Sequence, residues 1–204
     1  GKFTNVDQLE FKCDICNKIY KSKSGLWKHK RKCIIENNIS TNKIDDKNIV
    51  NFSPFGIRKI KKNIYISPYI PSQTLDNLLE TGCAVVNYLN DASLFVDCVV
   101  GNKANIKKQK SKKIKGFFLN NCLSYDEVRV VNFKEDEVRP TFECEVVNTV
   151  FNKPFLGINR ATNAIIEACI LATRTNILKK TKIKTELNYL KIAVEKTSGK
   201  KELE

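Results

Sequence analysis

Methionine is absent from these 204 residues, histidine occurs once, and arginine supplies only six of the 36 basic side chains. Each shortage narrows the possibilities. With a single histidine and no visible nucleophile–base motif, catalysis by an acid–base pair finds no convincing residues. Beginning at Gly1 without an initiator, the chain is expected to be a processed form or a fragment. No run approaches the ~20 consecutive apolar residues of a membrane span. Asp7 and Glu10 stand where a signal peptide is apolar. A soluble chain with no membrane partner is the expectation.

The shortage of arginine also bears on the net charge of +14. Lysine and arginine that neutralise phosphates release counterions and raise nucleic-acid affinity. The planar fork that suits phosphate and guanine belongs to arginine, however. An excess of lysine, asparagine and isoleucine reads equally as compositional bias with solvated lysines, so charge alone assigns no polyanion.

What is present fits one main domain and a small module. At 42% hydrophobic content the chain can build one substantial core, which at this length buries roughly 70% of the unfolded surface. The eight cysteines do not fall in a disulfide pattern. Three cluster with the only histidine, and Cys83, Cys98, Cys144 and Cys169 sit inside apolar runs, where a reduced thiol behaves as a small hydrophobe. A reducing, cytoplasmic compartment is expected.

Cys13 and Cys16 form a two-residue knuckle, twelve residues precede His29, and Cys33 follows one helical turn later. Four soft ligands at that spacing converge tetrahedrally on zinc, with Phe11, Tyr20 and Leu26 as a miniature core. About 23 residues cannot build an adequate core unaided, and zinc contributes on the order of 10 kcal/mol to such peptides. The metal is therefore expected to be structural. The segment resembles the ββα finger family in its Cys-Cys-His-Cys variant. That resemblance places the base-reading positions on Ser22, Gly25 and Lys28, of which Gly25 has no side chain to offer. Lys28, Lys30, Arg31 and Lys32 read either as phosphate contacts or as a solvated helix face.

After Cys33 come short β-prone runs: Ile34 to Thr41, Ile49 to Phe52, Asn63 to Tyr69, Ala84 to Tyr88, Leu94 to Val100, Val128 to Phe133 and Thr141 to Phe151. Polar turns separate them, among them Asp45 to Asn48, which reads as a hairpin loop. Helical spacing is confined to Leu75, Leu78 and Leu79 before Gly82, to Ile158–Ile177, and to the stripe Ile183, Leu187, Leu190 and Val194 ending near Gly199. The class is mainly β with added helices, an α+β fold. The lysine-rich stretch from Gly101 to Gly116 reads as a solvated loop. At the opening of the short helix, Ser72, Thr74 and Asn77 stand where unpaired N–H groups favour an anion. Ser72 or Thr74 as a plain N-cap is the alternative.

Ser53-Pro54-Phe55-Gly56-Ile57, the segment Pro71 to Gly82 and Ala84 to Tyr88 resemble the flavoprotein family named domain of unknown function 447. Val138-Arg139-Pro140, Gly157 to Ala161, Ile165 to Ala168 and Ala193 to Thr197 follow in the family's order. The resemblance covers about Ile34 to Gly199. It implies an FMN-binding split barrel, similar to flavin reductases, assembled as a homodimer with flavin near the subunit interface. It further implies that Ser72, Thr74 and Asn77 hold the FMN phosphate, that Ser53 to Gly56, Asn87 and Tyr88 line the ribityl chain and ring, and that Asn159 and Arg160 supply a second anion contact from either subunit. The chain then divides into a tail (1–10), a zinc finger (11–33) and an FMN-binding split-barrel domain (34–204). The finger is a departure from the family, and so is the end of the chain at Glu204, where relatives usually continue.

Two functions follow. In one, the protein positions FMN and the flavin carries oxidoreductase-like chemistry. In the other, the barrel is a flavin sensor or scaffold while the finger engages nucleic acid or protein. The substrate is not legible.

Overall fold

A computed structural model describes residues 11–13, 16–21, 25, 26, 29, 50–103 and 106–200. The predicted strand Ile34 to Thr41, the loop Asp45 to Asn48, the tail 1–10, Cys33, and Ser22, Lys28, Lys30, Arg31 and Lys32 lie outside them.

Near the N terminus, β1 (Phe11–Lys12) and β2 (Ile19–Tyr20) pair antiparallel, with Phe11 opposite Tyr20. Gly25, Leu26 and His29 are helical. Asn17 adopts φ of 62°, a left-handed conformation that asparagine tolerates, and its N–H donates to the Cys13 carbonyl.

The main sheet uses β3 (Arg58–Ile60), β4 (Asn63–Ile66), β5 (Cys83–Tyr88), β8 (Ser124–Lys134) and β9 (Thr141–Phe151). All neighbours are antiparallel, in the order β3-β4-β9-β8-β5. Alternation places Ile64, Ile66, Phe142, Cys144 and Val128 on one face. There α1 (Gln73–Thr81) covers them with Leu75, Leu78 and Leu79. Ser72 caps this helix by accepting the Leu75 N–H at 3.3 Å, and Gly82 at φ 62° ends it. A register shift at Val131 changes which side chains face inward. Phe133 consequently returns to the core beside Phe142, and Val131 is exposed.

Between β5 and β8 the chain forms α2 (Ala92–Val100) and a two-stranded hairpin of β6 (Lys108–Lys110) and β7 (Phe117–Leu119). Both differ from expectation. Leu94 to Val100 is helical, because Asp91 accepts the Ser93 N–H at 3.0 Å as N-cap and Gly101 closes the helix at φ 85°. The lysine-rich stretch holds a strand where a loop was expected, and residues 50–52 form none. A second core, Leu119, Cys122 and Tyr125 with Phe52, Val85 and Phe118, lies under this hairpin. Helices α3 (Arg160–Ala172) and α4 (Lys180–Thr197) follow; α3 packs against both α2 and α4. Among the described residues no helix is long and apolar enough to cross a membrane.

Candidate functional site

β5 ends the sheet, with β8 as its only ladder partner among the described strands. Successive side chains of a strand face opposite ways, so a cleft lined by all six residues from Cys83 to Tyr88 must run along the strand's outer edge. This cleft, of about 1650 Å³, is walled by α1 on one side, by the β6–β7 hairpin on the other, and by the segment Val50 to Phe55.

Its polar corner is the opening of α1. Asn51 Nδ2 donates to Thr74 Oγ1 at 3.1 Å, and Lys103 Nζ donates to Asn51 Oδ1 at 3.3 Å. Gln73 Nε2 donates to Asn77 Oδ1 at 2.8 Å. The acceptor oxygens of Asn51, Thr74 and Asn77 thus each take one hydrogen bond within the protein. The groups also bring donors: the Thr74 hydroxyl hydrogen, the Asn77 amide and the Lys103 ammonium. In the first helical turn the Leu75 and Asp76 N–H groups bond Ser72. Those of Gln73 and Thr74 have no partner among the described residues. A cluster of donors at a helix N terminus is complementary to an anion.

The residues singled out in the sequence divide. Ser53, Thr74, Asn77, Asn87 and Tyr88 line the cleft, whereas Gly56, Ser72, Asn159 and Arg160 do not. Ser72 is the N-cap of α1. A Cβ added at Gly56 meets nothing within 4 Å, so no close approach there calls for glycine. Asn159 caps α3, accepting the Ala161 N–H at 2.7 Å, and its Nδ2 donates to the Thr197 carbonyl at 3.2 Å, tying the start of α3 to the end of α4. Arg160 is exposed beside it. Asn87 spends its Oδ1 on the Leu119 N–H at 2.8 Å, fastening β7 to β5. Asn51 and Lys103 carry the corner yet have no signature: they meet across 52 residues, and no local spacing announces it.

Two buried carboxylates lie behind the cleft. Asp126 accepts from Tyr88 Oη at 2.7 Å. Burial, followed by that hydrogen bond and the Asp126 charge, pushes the Tyr88 phenol well above its ordinary range. Glu127 accepts the Lys112 and Lys113 N–H groups at 2.8 and 2.6 Å. Burial alone would raise its carboxyl, but these bonds and one from Asn148 outweigh it and hold the group below the ordinary range.

Cys13, Cys16 and His29 form a second constellation, their ligand atoms all within 4.8 Å of one another. Cys16 Sγ lies 2.8 Å from His29 Nε2, Cys13 is fully buried, and the Tyr20 ring stacks on His29 at 4.8 Å. Two thiols and an imidazole converging in this way are a donor set suited to zinc.

The fold defines a class, a mixed α+β protein similar in overall fold to a solved FMN-bound protein from Methanosarcina mazei. The two are 22% identical, with 74% of this chain and 81% of that one covered at a TM-score of 0.62. The chain belongs to the family described as protein of unknown function (DUF447), whose N-terminal domain matches residues 39–153 and whose C-terminal part matches residues 159–204. An FMN-binding protein from Thermus thermophilus is similar at 13% identity, over 52% of this chain and 65% of that one, with a TM-score of 0.45. The 2-nitrobenzoate 2-nitroreductase of Pseudomonas fluorescens follows at 18% identity, over 48% and 54%, with a TM-score of 0.42. No curated protein matches this chain.

Proposed function

We propose that this protein is an FMN-binding flavoprotein of split-barrel architecture with oxidoreductase-like chemistry, carrying a structural zinc finger ahead of the barrel. The observation that carries the reading is the donor-rich corner at the opening of α1. Thr74 and Asn77, with the N–H groups of Gln73 and Thr74 that have no partner among the described residues and with Lys103 behind Asn51, suit a phosphate, and Phe52, Val85 and Leu94 farther along the same cleft suit an aromatic ring. The FMN bound by the family member of like fold supports the same assignment. Bound flavin supplies the electron transfer, so the chain's own residues bind, orient and exclude water, and no acid–base pair is required.

The finger's Cys13, Cys16 and His29 hold zinc with Cys33 as fourth ligand. Assembly as a homodimer is supported by the exposed apolar rim Phe151, Phe155, Leu156 and Ile158, next to the cleft. A reducing compartment agrees with the free thiols of Cys83, Cys98, Cys122, Cys144 and Cys169.

Purified protein carrying one flavin per chain, seen in the visible flavin bands, is the expected result. Replacing Thr74 and Asn77 together by alanine should weaken FMN binding at least tenfold. Unchanged affinity in that variant refutes the phosphate corner.

A further inference from the structure

Four threonines within or closing the helices spend their hydroxyl hydrogen on the turn behind them. Thr81 donates to the Asn77 carbonyl at 2.8 Å, Thr173 to that of Ile170 at 2.8 Å, Thr185 to that of Thr181 at 3.0 Å and Thr197 to that of Ala193 at 2.7 Å. This is an ordinary use of the group, since a carbonyl three or four residues back lies within its reach. Thr74 differs. It stands in the first turn of α1, and Ile70 and Pro71 behind it are not helical. Its oxygen receives the Asn51 amide at 3.1 Å, and its hydroxyl hydrogen has no acceptor among the described residues.

The two ends of a side-chain amide have opposite consequences for a hydroxyl. Facing Thr74 with its oxygen, Asn51 would take the hydrogen. Facing it with nitrogen, Asn51 occupies a lone pair and leaves the hydrogen over. Lys103 decides between them. An ammonium has donors and no acceptor, and the Lys103 Nζ stands 3.3 Å from the far end of the amide, so that end is the oxygen. Lys103 is itself held in place after the close of α2, where its N–H donates to the Gly101 carbonyl at 3.0 Å and its carbonyl accepts the Ile106 N–H at 3.4 Å. It has no carboxylate partner among the described residues. Asn51 and Thr74 line the cleft and Lys103 does not, so its reach toward a ligand passes through Asn51.

We propose that Asn51 is a positioning residue for the flavin phosphate: oriented by Lys103, its amide fixes the Thr74 hydroxyl as a donor turned into the cleft. The proposal rests on the flavin reading above. Ammonium, amide and hydroxyl form a chain of hydrogen bonds that all run one way, and each bond polarises the next. The chain ends on a hydrogen presented to the ligand, which favours an anion. The charge of Lys103 thus acts from behind without taking up space in the cleft.

The test compares FMN with riboflavin, which lacks only the phosphate, by quenching of flavin fluorescence on the full chain. The readout is the ratio of the two affinities. General loosening of the cleft lowers both together, whereas lost positioning lowers that for FMN alone. Thr74→Val keeps the shape of the side chain and should reduce the preference for FMN about tenfold, the effect of losing one hydrogen bond to a charged group. Asn51→Leu frees the hydroxyl to divide among three staggered positions and should reduce the preference about threefold or more. In the Thr74→Val background Asn51→Leu should change the ratio no further, because a residue that acts through Thr74 has nothing left to act on. Losses that add independently overturn the proposal, and so does a wild-type ratio in Asn51→Leu. Asn51→Ala runs the same cycle if the leucine variant no longer binds riboflavin. A wild-type chain that takes up neither flavin overturns the flavin reading and this proposal with it. One that binds both flavins equally keeps the flavin but overturns the phosphate corner and its positioning together. A chain that prefers FMN whatever stands at position 51 overturns the role of Asn51 alone.

Discussion

The phenol of Tyr88 donates a 2.7 Å hydrogen bond to Oδ2 of Asp126, a carboxylate with 1% of its surface exposed. Thr149 Oγ1 donates to the other oxygen at 2.5 Å, and Lys59 Nζ stands 3.5 Å from Oδ2. A buried charge is tolerated only when its lone pairs are occupied. Tyr88→Phe removes one donor and leaves the ring in place, so the variant should lose about 1–3 kcal/mol of stability. Urea unfolding measures it, and a loss under about 0.5 kcal/mol would show that water takes the place of the phenol.

Gly116 lies against the sheet so closely that a Cβ there would stand 3.0 Å from Val85 Cγ2 and 3.4 Å from Ser111 Oγ. Valine is stiff about χ1 and cannot swing aside cheaply. Gly116→Ala should therefore cost about 1–3 kcal/mol, the range for overpacking. Adding Val85→Ala removes the clashing methyl. The double variant is expected to be less destabilised than the two single changes sum to, and simple additivity in the urea midpoints would disprove the contact.

Helix α1 was legible because its punctuation is local: Ser72 before it, Gly82 after it, and three leucines on one face. The last long strand was legible too, with β9 spanning Thr141–Phe151 as the run predicts. Helix α2 was not. Its run of Leu94, Phe95, Val96, Val99 and Val100 has the composition of a strand, and only Asp91 and Gly101 at its ends mark a helix. Apolar residues fall on more than one face, Val96 and Val100 being exposed, and so erase the spacing that would have told them apart. Strand β8 begins at Ser124, four residues before the expected Val128, since acidic Asp126 and Glu127 have low strand propensity and carry no apolar signal. Both are instead buried in a strand.

The candidate site was legible in the same measure. Thr74 and Asn77 announce themselves at a helix start. The β6–β7 hairpin is hidden by its lysines, since strand propensity describes a half-buried pleated surface and Lys108, Gln109 and Lys110 are all exposed. What holds it, Glu127 and Asn87, lies far off in sequence.

The proposed zinc site at Cys13, Cys16 and His29 gives a prediction with an elemental readout. Cys16 Sγ and His29 Nε2 approach to 2.8 Å, and the thiol is competent for zinc only as thiolate. Cys16→Ser and Cys13→Ser should each lower bound zinc from one per chain toward zero in elemental analysis after gel filtration. The corner proposed for FMN shares no residue with Cys13, Cys16 and His29, so flavin content should not follow the zinc. Full zinc retention in both variants would remove the metal assignment.

Glu127 supplies a prediction in pH. Its carboxyl is held below the ordinary value near 4.5, because the Lys112, Lys113 and Asn148 donors prefer the charged form and outweigh the burial that would raise it. A group whose folded value is depressed stabilises the fold above its unfolded value, and this contribution is lost as pH falls through the folded one. Glu127→Gln places an amide N–H against a main-chain N–H and should cost about 1–3 kcal/mol at pH 7. That difference from wild type should stay flat from pH 8 to about 5 and shrink as the pH drops below 4.5. Repulsion among the many lysines acts on both proteins and cancels in the comparison. Urea midpoints taken at half-unit steps down to pH 3 decide the matter. A difference that persists undiminished at the acid end would mean that the carboxylate charge does not hold the lysine turn.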